Sequence, residues 1–318
     1  MGTTYNVIAV APAATSSEKL DNAIKASLER VNKHLSNWDP VSEISRFNAD
    51  QSTAPIAISD MMVKVLAAAN SVHRESQGQF DVTLAPLIEV WGFGTRKVDT
   101  PRPSPEMIAT ARARVGQLDK LTLNTAAKTL LKRDPSITIN LSAIAKGFGV
   151  DEVARTLKTF KISNFMVEIG GDLVTSGLNP RGQKWRIGIE RPDAGSQRVQ
   201  TTIDISGHGM ATSGDYRNYR EHNGTRYSHI INPRTGEPVT HRTASVTVLA
   251  QDAMLADAWA TALLVLGKDE GMKVARRQDI AALFIFRDPE QAAPDAGGFG
   301  VLMSPRFEDI KGQSAAKD

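Results

Sequence analysis

Apolar residues recur at helical spacing through Leu20, Ile24, Leu28, Val31 and Leu35, and Thr15 with Glu18 three positions on makes a capping box ahead of them. The spacing predicts a first helix there. A loop follows, from Trp38-Asp-Pro40 to Arg46-Phe-Asn48, before Val65, Leu66, Ala69 and Val72 mark a second helix running from Ser59 to about Ser76. Ser104-Pro105 reads as an N-cap with a first-turn proline, opening a third helix that ends near Val115. Short alternating runs predict strands at Lys120–Asn124, Thr129–Arg133 and Ser136–Leu141. A helix over Ala145–Phe160 leads to strands at Phe165–Ile169, Leu173–Ser176, Trp185–Arg191 and Val199–Ile205. Asn223-Gly224 is a hairpin signal between Tyr219 and Tyr227. Ala244–Ala250 reads as a strand, Ala253–Leu266 and Lys268–Arg277 as helices, and Ile280–Phe286 as a buried strand. Strands come in clusters with helices grouped between them, so the pattern predicts an α+β fold. No repeat and no linker divides the chain. It reads as one domain over 1–305, with a polar, frayed tail at 306–318.

Composition narrows the function classes. The 318 residues suit about two domains or one large one, and 41% hydrophobic with 23% charged residues is ordinary for a globular protein. Cysteine is absent, which excludes disulfides, thiolate metal sites and thiol nucleophiles. Net charge is only +3 and is scattered, so no nucleic-acid partner is expected. The most apolar stretch, Ala253 to Gly267, is too short for a membrane span and is interrupted by Asp257. The first ten residues lack a basic n-region and read as a strand, so no signal peptide is visible and upstream sequence is expected to have been removed.

Asp257 is the most informative position. It sits in a helix apolar nearly all round, where an ionised carboxylate is costly unless paired or metal-bound. Thr261 lies one turn on, and two hard oxygen donors at that spacing suit Mg²⁺. Pairing with an arginine, or capping of a neighbouring helix, would also account for Asp257. Asn140 to Gly149 takes a strand end into a helix start that can hold an anion, with Lys146 adding a charge; close helix–sheet packing explains the same glycines. Glu168-Ile-Gly-Gly-Asp172 is a tight turn or a site. His34 and His73 fall in amphipathic helices and read as solvated, whereas His229 lies where a strand enters a turn. Ser213 lacks the nucleophile-elbow glycines, which argues against a hydrolase triad.

In order along the chain stand Met1-Gly-Thr-Thr-Tyr5, Ser45-Arg-Phe-Asn48, Phe80-Asp-Val-Thr83, Trp91-Gly-Phe-Gly94 and Leu141-Ser-Ala-Ile-Ala-Lys-Gly147. Val167-Glu-Ile-Gly-Gly-Asp172, Ala211-Thr-Ser-Gly-Asp-Tyr216, Tyr227-Ser-His-Ile-Ile-Asn-Pro233 and Ala256-Asp-Ala-Trp-Ala-Thr261 complete the set. Together they resemble the ApbE family of FAD:protein FMN transferases, over Met1 to about Gly267. The resemblance implies mixed and antiparallel strands with helices packed on them, and two lobes with the flavin site between. It implies an enzyme that splits FAD at the pyrophosphate, attaches FMN to a threonine of a target flavoprotein by a phosphoester, and releases AMP. That target would be a membrane-associated redox subunit. Mg²⁺ is the family's metal and would fall on Asp257, Thr261 and the Ala143 carbonyl. Flavin contacts would fall at Met1, Phe80, Asp81, Val82, Asn140, Lys146 and Ile231, with Phe80, Trp91 and Phe93 lining an apolar slot. His229 corresponds to the histidine that takes the acceptor's proton. Asn140 replaces the aspartate many members carry, keeping an acceptor and losing the charge. A periplasmic address, with or without an N-terminal lipid anchor, follows from the resemblance alone. An FAD pyrophosphatase and a non-catalytic flavin carrier remain as alternatives.

Overall fold

The computed structural model describes residues 2–94, 102–193, 198–216, 218–222, 225–288 and 298–315. β1 (Tyr5–Val10) leads into α1 (Ser17–Leu35), α2 (Glu43–Ala49), the short β2 (Ile56–Ala57) and α3 (Asp60–Glu75). α4 (Ala85–Val90), α5 (Pro105–Arg112) and α6 (Gln117–Lys120) follow, then β3 (Leu121–Asn124) and β4 (Thr129–Lys132). After α7 (Ala145–Thr159) come β5 (Asn164–Ile169), β6 (Asp172–Ser176), β7 (Trp185–Glu190), β8 (Val199–Ile205) and β9 (Gly209–Gly214). β10 (Tyr219–His222), β11 (Thr225–Ser228) and β12 (Thr243–Ala250) precede α8 (Ala253–Arg277). β13 (Ala281–Arg287), β14 (Phe299–Met303) and α9 (Pro305–Ala315) close the order.

A seven-stranded antiparallel sheet, ordered β1-β5-β6-β9-β12-β13-β14, organises the fold. Its strands are buried on both faces where they matter. In β13, Ala282 and Phe284 join the core beneath α8, while Ala281, Leu283 and Ile285 join a second core under the β7–β8 ribbon and α9. Two-sided burial removes any reason for polar alternation, so Ile280–Phe286 is apolar throughout. A three-stranded sheet, β2-β4-β3, stands apart from the large one. The α+β reading holds, with mixed helix and antiparallel sheet.

Several local expectations change. The cap of α1 is Ser16, which accepts from the Lys19 amide, not Thr15. The stretch read as a loop from 38 to 48 contains α2, capped by Ser42. α4 and β9 lacked a periodic signal. Ser136–Leu141 is no strand: Ser136 lies in a turn and 137–141 join no ladder. The polar tail folds as α9: Phe307 is fully buried, and the Ser304 hydroxyl donates to the Ile280 carbonyl while accepting from the Ala282 amide. Residues 223 and 224, the hairpin signal, lie outside the described residues, while β10 and β11 on either side pair antiparallel. The two helices expected on either side of Gly267 meet there inside α8, at φ +74°, a conformation that favours glycine.

Candidate active site

The site is built on the crossing of α7 and α8. A Cβ on Gly147 would lie 2.1 Å from the Ala253 carbonyl oxygen and 2.9 Å from the Asp257 Cβ, so only glycine admits this approach. The contact lets the Gly147 amide donate to Asp257 Oδ2 at 3.0 Å. Asp151 of α7 accepts from the Ala253 and Met254 amides at 2.9 Å each, and Asp252 accepts from Leu255, so two carboxylates serve the positive end of α8. Asp172, at the start of β6, is buried against the same point, with its Oδ2 2.7 Å from the Lys146 Nζ. Its carboxyl also shares a hydrogen bond with that of Asp257. Burial pushes the Asp172 carboxyl well above the usual range, and the charge of Asp257 raises it further against the pull of Lys146. Burial raises Asp257 as well, opposed first by Lys146. One turn on, Thr261 Oγ1 lies 3.0 Å from Ser213 Oγ of β9.

These residues open on a cavity of about 1150 Å³, at the upper end of small-molecule sites. Ala143, Lys146, Asp257 and Thr261 line it, as do Phe80, Asn140, His229 and Ile231. His229 donates its Nδ1–H to the Asn218 carbonyl at 2.7 Å, which leaves Nε2 with the lone pair. Burial holds its pKa below the ordinary value, partly opposed by the Asn218 hydrogen bond and the charge of Asp215. Phe93 meets the imidazole edge-on, ring centres 6.2 Å apart.

Other expected contacts are placed differently. Asp81 lines the cavity, but its carboxylate is engaged within the protein, accepting from the Thr83 amide and hydroxyl and from the Gln117 amide. Val82 is buried behind the wall, where its carbonyl accepts from the Asn140 amide at 2.7 Å. Trp91 belongs to the core rather than the slot: it is buried, donates to the Gly236 carbonyl and packs on Tyr227. The Asn140 Oδ1 accepts from the Ser142 amide and hydroxyl. Met1 lies outside the described residues. His34 and His73, read as solvated, are partnered: His34 with the Glu43 carboxylate at 2.5 Å, and His73 with the Phe80 carbonyl at 2.7 Å.

The donor set fits Mg²⁺. The Asp257 carboxylate and the Thr261 hydroxyl, on one helix face, are hard oxygens on the same cavity as Ala143, and Mg²⁺ takes few protein ligands. Asp172 beside Asp257 sets two buried carboxyl groups against the Lys146 ammonium, so a bound cation would replace the proton that burial otherwise keeps on the pair. Among the described residues no three His, Asp or Glu side chains form a metal cluster.

The ApbE family model matches residues 1–284. The chain belongs to the ApbE family. An FAD:protein FMN transferase from Haemophilus influenzae is 44% identical over 293 residues, covering 90% of this chain and 84% of that protein. Among solved structures, a histidine-to-glycine variant of the flavin transferase ApbE from Vibrio cholerae is 40% identical with a TM-score of 0.88, covering 98% of this chain and 96% of that one. The apo flavinyl transferase ApbE from Pseudomonas stutzeri is 36% identical with a TM-score of 0.87, covering 98% and 94%. In this ApbE-family chain, sequence reasoning missed Asn37, Trp38 and Ser213 as lining residues. Trp38 is 70% exposed in a turn without periodicity, so no pattern marked it. Asp172 carried a signal, the Gly170-Gly171 turn, where both glycines have positive φ.

Proposed function

We propose that this protein transfers FMN from FAD to a threonine hydroxyl of a target flavoprotein in an Mg²⁺-dependent reaction. The observation that carries it is a histidine with Nδ1 held by a carbonyl, on the same cavity as the oxygen pair of Asp257 and Thr261. In this reading the acceptor's Oγ attacks the FMN phosphorus, its proton passes to His229 Nε2, and the bond to the AMP oxygen breaks. Asp257, Thr261 and the Ala143 carbonyl would hold Mg²⁺, which when bound offsets charge on the pyrophosphate. Lys146 adds a fixed positive charge at that end, and Phe93 keeps one side of His229 out of water. Positioning and charge neutralisation are most of what phosphoryl transfer asks of a protein.

The names of the relatives support FAD as substrate. A membrane-associated redox subunit as target, and a periplasmic address, belong to this proposal and are read from the family resemblance. The deciding experiment incubates the protein with FAD, Mg²⁺ and a candidate acceptor and reads intact mass. An acceptor gain of one FMN, lost in Asp257→Ala, is expected. Free FMN and AMP with an unmodified acceptor would make the protein an FAD pyrophosphatase instead.

A further inference from the structure

The cavity wall at 137–141 belongs to no helix or strand, yet Ile139 is fully buried, so its peptide groups need partners. Side chains supply them. Asn48 accepts from the Ile139 amide and donates to the Ile139 carbonyl, both at 2.8 Å. Asn37 donates to the same carbonyl and accepts from the Leu141 amide, again at 2.8 Å. Each asparagine thus imitates a peptide of a neighbouring strand, and the pair brackets Asn140, whose amide crosses to the Val82 carbonyl.

Neither asparagine caps its own helix. The C-caps of α1 and α2 are Ser36 and Asp50, so these amides are directed elsewhere. The turn that presents them is braced: the Ser42 hydroxyl donates to the Ser36 carbonyl at 2.7 Å. Behind it, the buried Lys132 ammonium donates to the Phe47 and Asp50 carbonyls, fixing the end of α2 that carries Asn48. Both asparagines line the cavity together with the segment they hold.

We infer that Asn37 and Asn48 are positioning residues for the nucleotide site, holding 139–143 so that Asn140 and the Ala143 carbonyl are preset for FAD. This rests on the reading of the cavity as the FAD site. Without the clamp the wall samples other conformations, and the apparent Kd rises in inverse proportion to the competent fraction. Once FAD saturates the protein, the wall is again in place, so turnover is kept.

The test titrates wild type, Asn37→Ala and Asn48→Ala with FAD in Mg²⁺, following flavin fluorescence. FAD-dependent turnover and melting of the ligand-free proteins are measured in parallel. A rise of about tenfold in Kd and KM, with kcat kept, is the expected result for a competent fraction near one tenth. Variants that melt lower but keep the wild-type Kd and KM would reduce the asparagines to a structural role and overturn the inference. Should Asn48→Ala not fold, Asn37→Ala, which leaves the Asn48 bonds intact, gives the same two readings. A wild type that fails to bind FAD at all overturns the reading of the cavity and the inference with it, and that arm tells the two failures apart.

Discussion

At the scale of single residues, His229 sets the pH response. Its pKa is lowered mainly by burial, so the neutral base is the prevailing form at neutral pH. Transfer should therefore rise with pH through a midpoint below the ordinary histidine value of about 6.5 and stay flat above it. A pH–rate profile with a midpoint above that value would contradict the geometry. A positioned base typically contributes about 10²–10⁴-fold, so His229→Ala should lose at least about a hundredfold in transfer while FAD titration stays near wild type. Loss of binding and transfer together would assign His229 to ordering the 229–233 turn. Asn140 offers a separate check. An aspartate there would keep both bonds to Ser142 and add a charge beside the nucleotide. Asn140→Asp is expected to shift FAD affinity without abolishing turnover.

The elements matter through one crossing. α7 and α8 approach so closely at Gly147 that a methyl group would strike the Ala253 carbonyl, and that same approach sets the Asp257 carboxylate beside Lys146 and Asp172. Forcing a methyl into a packed contact costs about 1–3 kcal/mol or more, so Gly147→Ala should lower the urea midpoint and weaken Mg²⁺ binding by calorimetry in the same variant. A stable variant with wild-type Mg²⁺ affinity would show that the crossing does not position Asp257. Asp151 makes the crossing pH-sensitive. Burial raises its pKa to about 6, against its bonds to Ala253 and Met254, with Asp252 raising it and Lys64 lowering it. The folded protein then holds a proton that the unfolded chain, with an ordinary aspartate near 3.8, has released. The Asp151 contribution to stability should fall as pH rises from about 4 to about 6, by at most about 3 kcal/mol, and level off above. Denaturant melts of wild type and Asp151→Asn across that range should converge on this difference. Parallel curves would remove Asp151 as the cause.

Across the whole molecule, the far side of the large sheet is closed by α9 and the β7–β8 ribbon, away from the cavity. Phe307 is fully buried there and anchored through Ser304 to β13. Phe307→Ala should destabilise by about 3–5 kcal/mol while leaving FAD affinity unchanged, read by denaturant melts and FAD titration. A silent substitution would return 305–315 to the polar tail its composition suggests.

Where the physics is local, the sequence alone was enough. Ser104 caps α5 as read, and Ser59, where the second helix was expected to start, is the cap of α3, because a cap needs only a hydroxyl and an amide three residues on. The break at Gly267 and the buried strand β13 were legible for the same reason: backbone conformation and continuous burial leave their mark in consecutive residues. The Asp257–Thr261 pair was legible too, since helical spacing places both on one face. What the tertiary structure decided is every partner distant along the chain. His34 and His73 looked solvated because Glu43 and the Phe80 carbonyl reach them only after folding. Ser136–Leu141 has the composition of a strand, yet the peptide partners of 139–141 include side chains of Asn37 and Asn48, roughly a hundred residues away. Asp172 reads as the end of a glycine turn until α7 and α8 cross and set a second carboxylate against it. Hydrophobic periodicity records which face is buried; it carries no information about which polar group will be waiting there.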